Sequence, residues 1–177
     1  MHHAYLGLGS NLDPQKNLDD GIEALVAEFG ALTLSGTYRS SAVGFSGPDF
    51  LNLVVGVSVS FDLKDFSQQL KSIEYAFGRD INATKYSSRY LDIDILTFDD
   101  CHGVHDQILL PRPEIRFNAH VLCPFAEIAP EMVLPGSNKS LLQMWREFDQ
   151  GSQPLVLERG ADYYAQRFTD SPSYVAR

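Results

Sequence analysis

The chain is 177 residues long, 44% hydrophobic and 21% charged, with a formal net charge of −9. That length predicts one domain with one sizeable core, and the acidic balance argues against a nucleic-acid partner, whose phosphates need a broad basic face. No apolar run is long enough to span a membrane, and Met1-His2-His3-Ala4 lacks the basic stretch and cleavage site of a secretory signal, so a cytoplasmic protein without a membrane partner is expected.

Residues 4–8 predict a first strand that runs into a turn at Gly7-Leu8-Gly9-Ser10-Asn11, with the glycines supplying backbone freedom and Asn11 tying the loop. Asp13-Pro14 predicts a helix start, with Asp13 as cap. Leu18, Ile22, Leu25, Val26 and Phe29 then recur at helical spacing until Gly30. Residues 32–38 and 50–61 predict two strands joined by the long loop 39–49, and loops of that length are often functional. Leu63, Phe66, Leu70, Ile73 and Phe77 predict a second helix over residues 62–77, stopped by Gly78. A strand containing Asp92 and Asp94 follows. The order βαββαβ predicts an α/β (α+β) fold, a ferredoxin-like sandwich with an antiparallel sheet and extra C-terminal helices. Those extras are a turn-rich stretch at 99–103, a helix over 117–129 interrupted by Pro124, and a last helix over 140–148. Residues 1–149 are expected to form the catalytic domain and 150–177 a C-terminal extension, with an edge strand at Leu155-Val156-Leu157 and a loose tail from 169.

The stretch Arg89-Tyr90-Leu91-Asp92-Ile93-Asp94-Ile95-Leu96 carries the most chemistry. Side chains alternate along a strand, so Asp92 and Asp94 share one face while Leu91, Ile93 and Ile95 take the other. Two readings are open. The plainer one is a solvated acidic edge; the other is a magnesium site, where two carboxylates hold the ion and phosphate oxygens complete its shell. Arg79, Lys85 and Arg89, crowded beside the pair in an acidic chain, favour a polyphosphate cradle. Elsewhere the signals are weaker. The glycines at 7 and 9 match neither nucleotide-loop fingerprint. Asn52 suits either a heterocycle edge or nearby backbone, and Glu74 reads as a solvated helix position. His102 and His105 have no ligand partners at metal spacing, and Cys101 and Cys123 fit no zinc pattern and are expected as free thiols.

Together these residues resemble the hydroxymethyl-dihydropterin pyrophosphokinase family over roughly residues 4–148. The resemblance is carried by Gly9-Ser10-Asn11-Leu12, Tyr38-Arg39-Ser40-Ser41 with Gly44, Pro48-Asp49-Phe50-Leu51-Asn52, Glu74, Gly78-Arg79, the Arg89 to Leu96 signature and Pro124-Phe125-Ala126-Glu127-Ile128-Ala129-Pro130. It implies transfer of the β,γ-diphosphate of ATP, the co-substrate, to a pterin alcohol with release of AMP. It also implies two Mg2+ ions on Asp92 and Asp94, and catalytic roles for Arg79, Arg89, Asp92 and Asp94. By the same resemblance Ser41, Val43, Phe50, Asn52, Tyr86 and His120 bind the pterin, while Glu74, Arg79, Lys85, Arg89, Ile95 and Arg112 bind ATP. The chain departs from the family pattern at substrate contacts: Tyr86 where Trp is common, Ser88 for Pro, Phe50 for Tyr, His120 for Phe, Arg112 for His, Asn118 for Arg and Ile81 for Arg. Those changes leave two rival readings, the same chemistry on another heterocyclic alcohol or a catalytically weak paralogue that binds pterin or nucleotide.

Overall fold

Strand β1 (His2–Ser10) buries Ala4, Leu6 and Leu8 and turns the residues between them to the opposite face, the alternation of a strand in an antiparallel sheet. The computed structural model describes residues 1–78 and 90–168. After β1 come α1 (Pro14–Phe29), β2 (Leu32–Leu34), β3 (Thr37–Ser40), β4 (Phe50–Val59), α2 (Leu63–Ala76) and β5 (Asp92–Phe98). The hairpin β6 (Gly103–His105) and β7 (Ile108–Leu110) leads to α3 (Glu114–Phe117), α4 (Ala119–Ile128), α5 (Leu141–Glu147), β8 (Val156–Arg159) and α6 (Ala161–Phe168). The main sheet runs β5-β1-β4-β3-β8, with β2 also paired to β4 and every pairing antiparallel. Central β1 and β4 with the last core strand at one edge is the βαββαβ sandwich that the element order predicts.

Two apolar layers sandwich the sheet. On one face Leu18, Ile22 and Leu25 of α1 and Phe66 and Leu70 of α2 pack on Leu6, Leu8, Leu53, Val55, Ile93 and Ile95. On the other, Leu122, Phe125 and Ala126 of α4 and Leu141 of α5 cover Val54 and Leu96. Strand β4 is therefore covered on both faces, which is why it reads as a nearly continuous apolar run. Among the described residues no helix is long and apolar enough to cross a membrane.

Several local expectations need correction. The first strand continues through Ser10, so Gly7 and Gly9 lie within it and not in a turn. Asp13 does not cap α1 with its side chain: its backbone is left-handed, at φ 43°, and its carbonyl accepts the Asn17 N–H instead. The expected strand at 32–38 is split, because Ser35 inserts its hydroxyl into the ladder, accepting the Val54 N–H at 2.9 Å and donating to the Gly36 carbonyl at 2.8 Å. Pro124 sits inside α4 and does not interrupt it; it forfeits one backbone bond, and the buried Leu122, Phe125 and Ala126 hold the helix together across that gap. The stretch after Asp99 contains the unforeseen β6–β7 hairpin.

The edge strand expected near Leu155 forms as β8, paired to β3. Helix α6 behind it was not expected; it buries Tyr164 and Phe168 in the same layer as α1, and the Tyr164 hydroxyl lies 2.9 Å from Thr37 Oγ1. Buried Asp19 of α1 receives Arg159 at 3.1 Å and the Tyr163 hydroxyl at 3.2 Å. Residues 156–168 are thus built into the sheet and its core. The expectation of a loose tail from 169 lies outside the described residues.

Candidate active site

Cross-strand register lines up one row of side chains over the sheet face that carries α4. Asp92 of β5 pairs with Gly9 of β1, Gly9 with Asn52 of β4, and Asn52 with Tyr38 of β3. The next row sets Asp94 beside Gly7 and Gly7 beside Val54. Directly paired residues point to the same face, so both aspartates stand over glycines and share a surface with Asn52. A side chain at Gly9 would reach within 3.4 Å of Asn52 Oδ1, and one at Gly7 would press on Leu96 at 3.3 Å. The glycines therefore supply a bare floor to a cleft of about 630 Å3 that holds Asp92 and Asp94 at one end and Phe50, Asn52 and His120 at the other. Two strand spacings, about 9.5 Å, separate the backbones of Asp92 and Asn52.

The acidic end is built on β5. Ile93 and Ile95 lock the strand into the core while Asp92 and Asp94 remain half-buried in the cleft wall. A bulge gives β5 one extra residue, since Leu6 pairs with Ile95 but neighbouring Tyr5 pairs with Thr97. The carbonyl of the bulged Leu96 accepts the Arg112 N–H at 2.8 Å. That bond brings the Arg112 guanidinium to 3.1 Å from Asp94 and 3.5 Å from Glu114. Hard carboxylate oxygens on a rigid strand suit magnesium. Magnesium keeps water and phosphate oxygens in its shell and needs only one or two carboxylates; among the described residues no group of three or more His, Cys, Asp or Glu is placed to hold an ion.

The other end is less charged and more enclosed. Asn52 is buried, and its amide nitrogen donates to the Tyr38 carbonyl at 3.1 Å and to Ser40 Oγ at 2.9 Å. A carbonyl can only accept, so these bonds fix the amide and leave Oδ1 toward the cleft as a hydrogen-bond acceptor. Phe50 faces the cleft and meets Phe45 edge to face at 6.3 Å. The Asn11 amide pins the loop before Phe50 by donating to the Pro48 carbonyl at 3.2 Å, so it ties a segment 37 residues away and not the local turn expected of it. Ser41 and Val43 line the rim, and His120 of α4 forms the facing wall. Burial lowers the His120 imidazole to about 4, so near neutral pH the ring is uncharged.

Of the expected site residues the structure gathers Ser41, Val43, Phe50, Asn52, Asp92, Asp94, Arg112 and His120 around this one cleft. Arg79, Lys85, Tyr86 and Arg89 lie outside the described residues. Two residues assigned to ATP stand elsewhere. Ile95 points its side chain into the core, away from Asp94. Glu74 is buried on α2 rather than solvated, and its carboxylate accepts the Ile93 N–H at 2.8 Å. It holds the strand between the two aspartates. The spacing Leu63, Phe66, Leu70, Glu74 continues the buried stripe and could have shown this. Glu114, Phe117 and Asn118 also line the cleft. Glu114 and Phe117 went unnoticed because their facing is set by the α3–α4 junction, which no local pattern reveals.

The family model described as 7,8-dihydro-6-hydroxymethylpterin-pyrophosphokinase (HPPK) matches residues 5–130. The chain is 37% identical over 151 residues to the 2-amino-4-hydroxy-6-hydroxymethyldihydropteridine pyrophosphokinase of Synechocystis, covering 84% of this chain and 77% of that protein. It is 35% identical over 140 residues to the protein of the same name from Methylorubrum extorquens, covering 77% of this chain and 88% of that one. Among solved structures it resembles an HPPK-DHPS in complex with substrates, with a TM-score of 0.64 at 13% identity over 97% of this chain and 45% of the other. Wild-type Plasmodium falciparum HPPK-DHPS with SDX-DHP gives a TM-score of 0.63 at 13% identity, over 97% and 45%. At that identity the likeness is one of fold, and this chain spans less than half the length of either.

Proposed function

The chain belongs to the 7,8-dihydro-6-hydroxymethylpterin-pyrophosphokinase family, and from that membership we propose that it transfers the β,γ-diphosphate of ATP to the hydroxyl of 6-hydroxymethyl-7,8-dihydropterin. AMP is the leaving group, and the step belongs to folate biosynthesis in the cytoplasm. The observation that carries this reading is the shared row of Asp92, Gly9 and Asn52. It sets a hydrogen-bond acceptor for a heterocycle and a carboxylate for a metal on one face, about 9.5 Å apart along a floor without side chains. A bicyclic ring lying on that floor with its Watson–Crick-like edge at Asn52 would direct a one-carbon alcohol arm toward the aspartates.

In this reading Asn52 Oδ1 accepts from the ring N–H groups, and Phe50 and His120 enclose the ring, with Ser41, Val43 and Tyr86 closing the rim. Asp92 and Asp94 would hold two magnesium ions, which when bound supply charge neutralisation at the phosphates and polarise the acceptor hydroxyl. Arg112, now on Asp94, lies where it can exchange the carboxylate for a phosphate oxygen. Arg79, Lys85 and Arg89 would meet the remaining phosphate charge as it migrates. Glu74 and Ile95 would serve the ATP end from behind, by fixing β5. The acceptor oxygen forms a bond to the β-phosphorus as the bond to the α,β-bridging oxygen breaks, and the hydroxyl proton leaves to solvent or phosphate. Catalysis then rests on positioning and charge rather than on a protein nucleophile.

Release of AMP from Mg-ATP, measured with a panel of pterin and other heterocyclic alcohols, tests the reading. AMP formed in step with diphosphorylated 6-hydroxymethyl-7,8-dihydropterin is expected. A second reading, the same chemistry on another heterocyclic alcohol, is favoured by His120, a polar ring where the family resemblance calls for Phe. Turnover with a different panel member and none with the pterin would select it, and binding of either ligand without any AMP would sink both.

A further inference from the structure

We propose that Gln153 is a positioning residue for the acceptor end of the cleft, a side chain from the C-terminal strap that sets the α3–α4 junction and through it His120 and Asn118. This rests on the pyrophosphokinase reading above and adds a residue beyond the stretch matched by the family model, which ends at 130.

The junction is a place where backbone groups need help. Helix α3 ends and α4 begins within a single residue, Asn118, whose backbone is extended at φ −115° and ψ 116°. Asn is a favoured cap, yet the Asn118 side chain makes no capping bond; the residue lines the cleft instead. Gln153 does the work from 34 residues away. Its Oε1 accepts the Ala119 N–H, the first donor of α4, at 3.0 Å. Its Nε2 donates to the carbonyl of Phe117, the last residue of α3, at 2.8 Å. One carboxamide thus satisfies a donor and an acceptor on either side of Asn118. Ala119 is fully buried, so an unmade bond there would carry a full desolvation cost.

The strap is itself held at both ends, which lets a side chain on it act as a fixed point. Upstream, the Ser152 hydroxyl donates to the Asp149 carbonyl at 2.7 Å, closing a turn after α5. Downstream, β8 pairs with β3, and Glu158 accepts from Arg39 at 2.5 Å. The space between strap and cleft reinforces the connection. A small cavity of about 220 Å3 is lined by Ser152 and Gln153 of the strap and by Ser40, Ser41, Val43 and His120, four residues that it shares with the main cleft. The strap therefore stands behind His120, and the residue that ties strap to helix sets how far that ring advances over the floor.

Steady-state kinetics of the full chain with Mg-ATP and 6-hydroxymethyl-7,8-dihydropterin, for the wild type, Gln153→Ala and Gln153→Glu, test this, together with hydrogen exchange of the Ala119 amide. Gln153→Ala loses both bonds and should raise the KM for the acceptor about tenfold, while kcat and the KM for ATP stay within about twofold. Gln153→Glu keeps the acceptor for Ala119 but loses the donor to Phe117, so its acceptor KM should fall between the two and Ala119 exchange should stay slow. If both variants fold and the acceptor KM is unchanged, or if the ATP and acceptor constants rise together, the positioning role is wrong. Should Gln153→Ala unfold, the KM split in Gln153→Glu decides alone. A wild type that turns over no pterin defeats the functional reading, whereas a turning-over wild type with indifferent Gln153 variants defeats only the role of this residue.

Discussion

The two ends of the cleft are made in opposite ways. The acidic end comes from a single strand: Asp92 and Asp94 alternate with core residues, and their placement follows once Ile93 and Ile95 are buried. The opposite end, proposed for the acceptor, is assembled from separate pieces, with Asn52 from β4, Ser41 and Val43 from the loop after β3, and His120 from α4. A local motif carries its geometry with it. An assembled pocket depends on the contacts that bring its parts together, and here those are polar ties such as Asn52 to Tyr38, Asn11 to Pro48 and Gln153 to the α3–α4 junction. Damage at the first end should therefore strike the chemical step, and damage at the second should strike acceptor binding.

The largest effect is expected at the acidic end. Asp92→Ala or Asp94→Ala should lower kcat by about a hundredfold or more. Stability should change by only about 1 kcal/mol, because the Arg112 pairing of Asp94 is partly solvated. Turnover and thermal unfolding measured together check this, and near-normal magnesium-dependent turnover in either variant would break the comparison. Glu74→Ala should come next. It leaves the buried Ile93 N–H without its carboxylate, a loss of about 1–3 kcal/mol of stability. Glu74→Gln keeps an acceptor and should recover most of that loss in denaturant titrations. A full loss in both variants would mean that the charge, and not the bond to Ile93, is what matters.

Asn52→Ala should raise the acceptor KM by about tenfold and spare the KM for ATP, since one oriented hydrogen-bond acceptor is removed from the assembled end. A drop in kcat with unchanged KM would erase the distinction between the ends. The smallest effect belongs to His120→Phe. Because burial lowers this imidazole from 6.5 to about 4, below pH 6.5 the unfolded chain takes up a proton that the folded chain refuses. The contribution of His120 to stability is thus full above about 6.5 and is lost as pH falls toward about 4. Phe at 120 should flatten the stability profile in that window and tighten pterin binding a few-fold through ring contact, about 1 kcal/mol. An unaltered slope in acid unfolding would place the titrating group elsewhere.

These differences also explain how much the sequence disclosed. The βαββαβ order, both long helices and the paired aspartates were legible because each rests on a short-range period. The role of Asn52 stayed open between heterocycle and backbone, and the structure shows that it serves backbone with its nitrogen while presenting its oxygen to the cleft. Glu74 was misread because charge alone suggested solvent, while its partner, the Ile93 N–H, is 19 residues away. Helix α6 escaped because its burial depends on Asp19, Thr37 and the α1 layer, far away in the chain. The Gly7 and Gly9 pair was seen but given the wrong reason: what matters is the missing side chain on a strand face, not freedom in a turn.

The bulge at Leu96 divides β5 into segments that answer differently to changes in chain length. Between Asp92 and Ile95 every residue has a fixed side, so one inserted or deleted residue would turn carboxylates into the apolar layer and isoleucines into the cleft. At Leu96 the strand has already absorbed an extra residue, and the count restarts with Phe98 back in the core layer of Ile93 and Ile95. Beyond it, the β6–β7 hairpin can lengthen or shorten without resetting the aspartates, provided the Leu96 carbonyl still receives Arg112. The strand works as a ratchet whose one slack tooth lies just past the two aspartates, confining variation in length to the side where it leaves their facing unchanged.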